Sequence, residues 1–157
     1  MDCPPFDMFF YGTLMRGQRN HAYCHGALRA RNATVRGSLY DLPEGYPALV
    51  VLEEDVLAVG TANPIRDASE ARFRTRPDGI PALEQPTVSG ELYTFDDAGE
   101  RLRALDRLEG FVPGDPTSPY ERVLIPAHAE DGTLTFAWSY VVRHPTGRHL
   151  PGGHWPA

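Results

Sequence analysis

Two short segments of the sequence carry residues with the chemistry of a catalytic site. The first is the apolar run Phe9–Leu14, which is interrupted by a glycine after Tyr11. Because glycine lets the backbone turn sharply at the end of a strand, the N–H groups of Gly12, Thr13 and Leu14 can point in one direction. Such a set of donors binds a carboxylate or an oxyanion without a charged side chain. Most strand-to-glycine turns are purely structural, so this pattern alone leaves both interpretations open.

The second segment is Leu105–Gly110, at the end of a predicted helix. Leu105 and Leu108 share the apolar face of that helix, and Glu109 lies close to this face at the C-terminal end. A helix C-terminus disfavours negative charge and therefore raises the pKa of a nearby carboxyl group. A carboxyl group with a pKa near neutrality can accept and donate protons in a reaction. The alternative interpretation is a solvated glutamate at a helix end.

Three side chains between residues 21 and 25 have the types that bind metal ions. His21 and His25 are four residues apart on a short predicted helix, with Cys24 between them. This spacing suits two ligands of one metal ion. No further pair of ligands follows at a recognisable spacing, and nothing in the sequence places a base against the Cys24 thiol. We therefore expect neither a metal site nor a cysteine nucleophile.

The elements that must position these residues are mostly short strands. Glycine and proline, at 15 residues each, predict many turns. Glu130-Asp131-Gly132 predicts a tight hairpin, and the turn at Pro43–Gly45 predicts a second hairpin with a longer loop. The expected architecture is a mostly antiparallel sheet that curls or closes under one or two helices. Strands are expected at residues 8–11, 34–40, 48–52, 56–62, 88–95, 120–127 and 133–142.

Two helices are expected. Between Asp97 and Glu109 leucines recur every three residues, and Gly110 suits the end of a helix. Asp97 is expected to cap the first turn of this helix. A shorter helix is expected from Asn20 to Arg29, with Asn20 as its cap.

The composition limits the number of domains and the kinds of partner. The 157 residues fit a single domain over 1–157, in which residues 64–86, with four arginines and four prolines, are expected to form an inserted loop. A net charge of -6 without a basic run argues against a nucleic-acid partner. No stretch approaches the roughly 18 apolar residues of a membrane span, and we expect no signal peptide. With only Cys3 and Cys24, reduced thiols and a cytoplasmic location are expected.

Several short segments form an ordered set along the chain: Tyr11–Gly17 with Asn20-His21, Gly37–Leu42, Gly45–Val50, Gly90–Tyr93, Leu105–Gly110, Tyr120–Arg122, Ala137–Val141 and Leu150–Trp155. In this order they resemble the γ-glutamylcyclotransferase-like (AIG2-like) superfamily. The resemblance extends over residues 6–155, apart from the stretch near 60–87. The Tyr-Gly-Thr-Leu form of the first segment is similar to the γ-glutamylamine cyclotransferase and butirosin-pathway type.

The resemblance implies an α+β fold, a small mixed, mostly antiparallel β-barrel with flanking helices. It implies that the backbone of Tyr11–Leu14 binds a γ-glutamyl group, that Glu109 is the catalytic acid and base, and that Tyr120 lines the pocket. The implied reaction converts a γ-glutamyl amine or a related conjugate to 5-oxoproline and a free amine, by attack of the substrate's own α-amine. The implied partner is this small substrate, and no metal or organic cofactor is implied.

Two alternatives remain open at this point. One is a non-catalytic module of the same fold that binds a small carboxylate. The other is a different acyl or amide rearrangement that uses Glu109 as its proton carrier. The products separate them, since only cyclotransfer releases 5-oxoproline. The identity of the amine and the oligomeric state do not follow from the sequence, and residues 64–86 are expected to cover the pocket, to bind an acidic leaving group or simply to lie on the surface.

Overall fold

The computed structural model of the protein describes residues 4–74 and 83–156. These residues form nine strands, two α-helices and two short 3-10 helices. The strands are β1 (Phe6–Phe10), β2 (Arg29–Arg36), β3 (Ser38–Asp41), β4 (Pro47–Val50), β5 (Ala58–Val59), β6 (Thr87–Phe95), β7 (Glu121–Ala129), β8 (Leu134–Val141) and β9 (Arg148–Leu150). The α-helices are α1 (Pro64–Arg74) and α2 (Ala98–Glu109), and the 3-10 helices are His21–Cys24 and Glu53–Asp55.

Five of the strands close into a barrel. In ring order they are β7, β2, β6, β1 and β8, and the pairing of β8 with β7 closes the ring. β1 and β8 run parallel, whereas the other neighbouring pairs in the ring are antiparallel. β4, β3 and β9 continue the sheet beyond β8, and β5 pairs with β7. The expected mixed, mostly antiparallel barrel with flanking helices is confirmed.

The barrel wall has two apolar faces, because successive side chains of a strand point to opposite sides. In β1, Phe9 packs inside the ring with residues that include Leu92 and Ile125. Met8 and Phe10 pack on the outer face, in the cluster that includes the buried side chains of α1 and α2. β1 is therefore buried on both faces, which fixes the position of the residues that follow it.

α2 forms where the leucine spacing predicts it. Leu102 and Leu105 are fully buried, and the helix ends at Gly110 with a φ of 72°. This left-handed conformation is typical of the residue that ends a helix. Asp97 occupies the predicted N-cap position, but its carboxylate accepts a hydrogen bond from Nη2 of Arg101 at 3.0 Å and makes none to the first turn of backbone.

The loop expected at residues 64–86 is wrong for its first part, which forms α1. Oδ1 of Asn63 accepts a hydrogen bond from the N–H of Arg66 at 3.1 Å, so Asn63 caps the helix, and proline occupies the first helical position. Ala68 is fully buried where α1 packs against α2, β1 and β8. Residues 75–82 of the expected loop lie outside the described residues.

Two other expected elements are interrupted at glycines. The helix expected from residue 20 to 29 is only the 3-10 helix His21–Cys24, because the chain turns at Gly26 with a φ of 92° before β2 begins. The strand expected at 34–40 is divided between β2 and β3 at Gly37, whose position leaves a Cβ only 2.7 Å from the carbonyl oxygen of Val50. Both predicted hairpins are confirmed, as β3–β4 and β7–β8.

Within the described residues, no helix is long and apolar enough to cross a membrane. Cys24 is a buried free thiol, and burial raises its pKa to about 12. Such a thiol stays protonated at neutral pH and is a poor nucleophile. Cys3 lies outside the described part of the chain.

Candidate active site

A cavity of about 320 Å³ lies at the end of the barrel where β1 and β8 end and β7 begins. Its wall combines the end of β1, the turn before β4, the C-terminal end of α2 and the segment before β7. All the site residues predicted from the sequence lie in this wall: Tyr11, Gly12, Thr13, Leu14, Glu109 and Tyr120. Segments that are far apart in sequence therefore meet at one cavity.

Close packing explains the glycine in the loop Tyr11–Leu14. A Cβ at Gly12 would lie 2.5 Å from Cγ of Pro47, which is closer than two carbon atoms can approach. The φ of Gly12 is not positive, so the glycine serves the close approach of β4 and no left-handed turn. The backbone of this loop therefore lies directly against the first residue of β4.

The loop is held by hydrogen bonds to its carbonyl oxygens. The N–H of Met15 donates to the Gly12 carbonyl at 3.1 Å, and the N–H of Asn20 donates to the Thr13 carbonyl at 2.8 Å. Nδ2 of Asn20 also donates to Oγ1 of Thr13 at 3.0 Å. By contrast, the N–H groups of Gly12, Thr13 and Leu14 donate to no acceptor among the described residues. They are free to donate to a ligand.

The residues with metal-ligand types contact this loop instead of one another. Nδ1 of His21 lies 3.0 Å from the Leu14 carbonyl oxygen, and Sγ of Cys24 lies 3.4 Å from the same atom. His25 is exposed. Among residues 4–74 and 83–156, no cluster of three or more His, Cys, Asp or Glu side chains has the arrangement of a metal site. His21 and Cys24 thus support the Tyr11–Leu14 loop.

Glu109 is the acidic residue in the wall of the cavity. Burial raises the pKa of its carboxyl group from 4.5 to about 7. The sequence suggested the helix dipole as the cause, whereas the structure assigns the change to desolvation. In the described part of the chain no donor or cation contacts this carboxyl group, so nothing offsets the effect of burial. A carboxyl group with such a pKa can both accept and donate a proton near neutral pH.

Two tyrosines form the wall beside Glu109. The hydroxyl of Tyr11 donates to the Tyr140 carbonyl at 2.6 Å, and that of Tyr120 donates to the Pro47 carbonyl at 2.7 Å. Burial raises the pKa of both hydroxyls, and the nearby Glu109 carboxylate raises it further. Because both protons are held by backbone acceptors, these tyrosines shape the cavity and are poorly suited to proton transfer.

A buried ion-pair network holds α2, which carries Glu109. Arg122 of β7 is fully buried, and its Nε donates to Oδ1 of Asp106 at 2.8 Å. Its Nη1 donates to Oδ2 of Asp67 in α1 at 3.0 Å, and the hydroxyl of Tyr140 donates to Oδ1 of Asp106 at 2.7 Å. The Arg122 side chain therefore connects both helices to the barrel. Its contact on α2, Asp106, lies three residues before Glu109.

Two arginines in the wall were not predicted as site residues. Arg19 follows the Tyr11–Leu14 loop, and Arg107 lies two residues before Glu109. Arg107 lies within the segment Leu105–Gly110 and Arg19 directly precedes Asn20, and this position is the only sequence signal that points to them. Exposed arginines are common at any surface, so their position at a cavity emerges only in the fold.

A model of a known protein family matches this chain over most of its length. The family model described as "Gamma-glutamyl cyclotransferase, AIG2-like" matches residues 8–73 and 58–157. The chain belongs to this family. The two matches overlap and together include nearly the whole sequence.

Individual relatives agree with the family. The chain is 31% identical over 137 residues to the γ-L-glutamyl-butirosin B γ-glutamyl cyclotransferase of Niallia circulans, covering 86% of this chain and 65% of that protein. It therefore spans slightly less than two thirds of the length of this relative. It is also 31% identical over 143 residues to a protein of Halalkalibacterium halodurans whose name provisionally assigns it as a γ-glutamylcyclotransferase, covering 90% of each chain.

A solved structure supports the fold. The crystal structure of an AIG2-like protein from Mus musculus superposes with a TM-score of 0.54 at 22% identity, covering 88% of this chain and 78% of the mouse protein. At this level of identity the likeness concerns the fold alone. It agrees with the barrel and the flanking helices described above.

Proposed function

We propose that this member of the γ-glutamyl cyclotransferase family converts a small γ-glutamyl amine or related conjugate to 5-oxoproline and the free amine. The observation that carries the proposal is the position of the Glu109 carboxyl group, with its pKa near 7, in the same cavity as the free N–H groups of Gly12, Thr13 and Leu14. The reaction needs a group that carries a proton and N–H groups that donate hydrogen bonds to an anion. Residues with both properties line this cavity.

The free N–H groups bind the γ-glutamyl part of the substrate. Backbone donors that are held in place by other contacts can stabilise a carboxylate or the negative charge that develops on a carbonyl oxygen. The carbonyl groups of the loop are engaged by Met15, Asn20, His21 and Cys24. These contacts fix the loop before the substrate binds, so its donors need no reorganisation during the reaction.

Glu109 carries the proton from the nucleophile to the leaving group. As a carboxylate it accepts a proton from the α-ammonium group of the substrate, and the resulting amine attacks the γ-carbonyl carbon. A C–N bond forms to close a five-membered ring. The protonated carboxyl group then donates to the nitrogen of the amide, whose bond to the γ-carbon breaks. The ring nitrogen loses its second proton, which the released amine takes up to leave as an ammonium ion, so protons and charge balance and Glu109 returns to its ionised form.

The intramolecular attack reduces what the protein has to supply. The nucleophile and the carbonyl belong to one molecule, so holding the correct conformer can be equivalent to an effective concentration of about 10⁵ M or more. A buried cavity that binds the γ-glutamyl part in the cyclising conformation therefore supplies much of the rate. The side-chain chemistry is limited to proton transfer.

The test measures 5-oxoproline by mass spectrometry after incubation of the protein with γ-glutamyl amines, γ-glutamyl dipeptides and glutathione. Glu109→Gln keeps the shape of the side chain and removes its titration. Glu100→Gln is the matched control, because Glu100 is exposed on the same helix and is not part of the cavity wall. We expect product from the wild type and the control and none from a folded Glu109→Gln variant.

Two outcomes would contradict the proposal. Formation of a different product would indicate another acyl or amide rearrangement. Unchanged product formation by Glu109→Gln would exclude this residue as the proton carrier. Circular dichroism and thermal unfolding of the variants establish that any loss of product is not a loss of fold.

A further inference from the structure

Two guanidinium groups in the wall of the cavity have no acidic partner in the part of the chain that the structure describes. Arg19 and Arg107 are both exposed, and neither forms an ion pair with a described residue. Among the described residues, the one hydrogen bond of these guanidinium groups runs from Nη2 of Arg19 to the Gly45 carbonyl at 3.4 Å. We call the opening of the cavity beside Arg19, Tyr46 and Arg107 its mouth.

The chain has 21 acidic residues and 15 arginines, so carboxylate partners for an arginine are plentiful. Most of its described arginines contact a carboxylate within 4.0 Å. These paired residues are Arg16, Arg29, Arg36, Arg101, Arg122, Arg143 and Arg148. Two cations at one cavity, neither of them paired with a carboxylate of the described residues, therefore suggest that an anion comes from the ligand.

The acidic groups near the mouth do not neutralise these cations. The charges of Glu109 and Glu44 both act on Tyr120 and raise the pKa of its hydroxyl, so both lie near this wall. Glu44 is exposed in the turn before Tyr46 and forms no ion pair with Arg19 or Arg107. Glu109 is only partly ionised near pH 7. Neither acidic residue is therefore an ion-pair partner of Arg19 or Arg107.

The positions of the residues separate the two ends of a bound substrate. Tyr11 and Gly12 are buried, whereas Arg19 and Arg107 are exposed, so the γ-glutamyl part lies deeper and the amine that leaves lies towards the mouth. Resting on the proposed function, we propose that Arg19 and Arg107 bind an anionic group on the leaving amine. The substrate class is then γ-glutamyl conjugates whose amine carries a carboxylate, sulfonate or phosphate.

Three probes of equal length test this preference. They are the γ-glutamyl conjugates of β-alanine, propylamine and ethylenediamine, which place a carboxylate, a methyl group and an ammonium group at the same distance from the scissile nitrogen. Because ion pairs of exposed side chains are weak, we expect kcat/KM for the β-alanine conjugate to exceed that of the propylamine conjugate by about tenfold. The ethylenediamine conjugate should be the poorest. The preference should shrink as salt is added.

Single substitutions show which arginine binds the anionic group of the leaving amine. In Arg19→Gln and Arg107→Gln, KM for the β-alanine conjugate should rise about threefold to tenfold with kcat nearly unchanged, since the contact is present before and during the reaction. KM for the propylamine conjugate should stay the same. Arg103→Gln is the control, because Arg103 is exposed on the same helix, is not in the cavity wall and donates to the Gly99 carbonyl.

The outcomes separate this inference from the proposed function. Equal KM increases for all three probes would assign the arginines to the α-carboxylate of the glutamyl group and refute the preference. Equal turnover of the probes would refute it while the proposed function stands. Should no probe yield 5-oxoproline, the proposed function fails, and calorimetric binding of the same probes decides the preference. Equal or absent binding would then refute it as well.

Discussion

Glu109 should make the folded protein less stable at the pH where it works as a proton carrier. Its carboxyl group has a pKa of about 7 in the fold and an ordinary value of 4.5 when exposed. Between these two values the folded protein binds a proton that the unfolded chain releases. Stability therefore falls as pH rises from 4.5 to 7 and stays at its lower level above that.

The magnitude follows from the same two pKa values. A full difference of this size corresponds to about 3 kcal/mol, and the partial access of Glu109 to the cavity makes about 2 kcal/mol the more realistic figure. Glu109→Gln removes the ionisation and keeps a side chain of the same size. The variant should thus be more stable than the wild type by about 2 kcal/mol above pH 7 and equal to it near pH 4.5.

Thermal unfolding at a series of pH values measures this effect. In a chain of this length, 1 kcal/mol shifts Tm by about 2–4 °C, so the variant should melt about 4–8 °C above the wild type at pH 8. Glu100→Gln serves as the control. Its carboxylate is exposed near the N-terminus of α2, so its loss should lower Tm slightly and by the same amount at each pH between 6 and 8.

One result would refute this reasoning. If the difference in Tm between Glu109→Gln and the wild type is the same at pH 5 and pH 8, the carboxyl group does not titrate near neutrality in the folded protein. The same result would remove the physical basis for Glu109 as a proton carrier at pH 7. Urea unfolding at both pH values checks that the effect does not depend on heating.

Three further predictions concern activity and stability. The kcat/KM for 5-oxoproline formation should rise about tenfold per pH unit below pH 7 and then level off, because Glu109 must be ionised to accept the first proton; a flat profile at constant ionic strength would contradict this. Gly12→Ala places a methyl group 2.5 Å from Cγ of Pro47, so kcat/KM should fall by about 10²-fold. Urea unfolding should show that the free energy of unfolding is lower by about 1–3 kcal/mol. Wild-type kinetics in this variant would show that the loop tolerates displacement. Arg122→Met leaves Asp67 and Asp106 buried without their cation, so urea unfolding should show that the free energy of unfolding is lower by about 3–5 kcal/mol. A change of less than about 1 kcal/mol would show that the network does not stabilise the fold.

The sequence predicts best the parts of the site that depend on local pattern. The leucine spacing of residues 102–108 and the glycine at 110 are enough to define α2 and to place Glu109 at its end. The apolar run before Gly12 likewise predicts β1 and the loop after it. In both cases a periodic or terminal signal within a few residues sets the structure.

Other features depend on contacts between distant segments. The pKa of Glu109 is raised by burial at a cavity whose other walls come from β1, β4 and the segment before β7, and no local pattern contains that information. The need for glycine at position 12 comes from Pro47, 35 residues further along the chain. α1 did have a local signal, the cap Asn63 followed by proline, but the surrounding arginines and prolines suggested a loop.

The closed ring of strands also determines which parts of the protein can change by mutation without loss of the fold. Every strand of the ring is paired on both sides, so its register is fixed independently of the connections at its ends. Arg19 lies in the connection from β1 to β2 and Tyr46 in the turn between β3 and β4 outside the ring, whereas Glu109 ends a helix anchored through Arg122. Mutation and insertion can thus alter the mouth while the proton carrier stays in place. A directed-evolution library confined to the connections would sample new leaving groups on an unchanged catalytic frame.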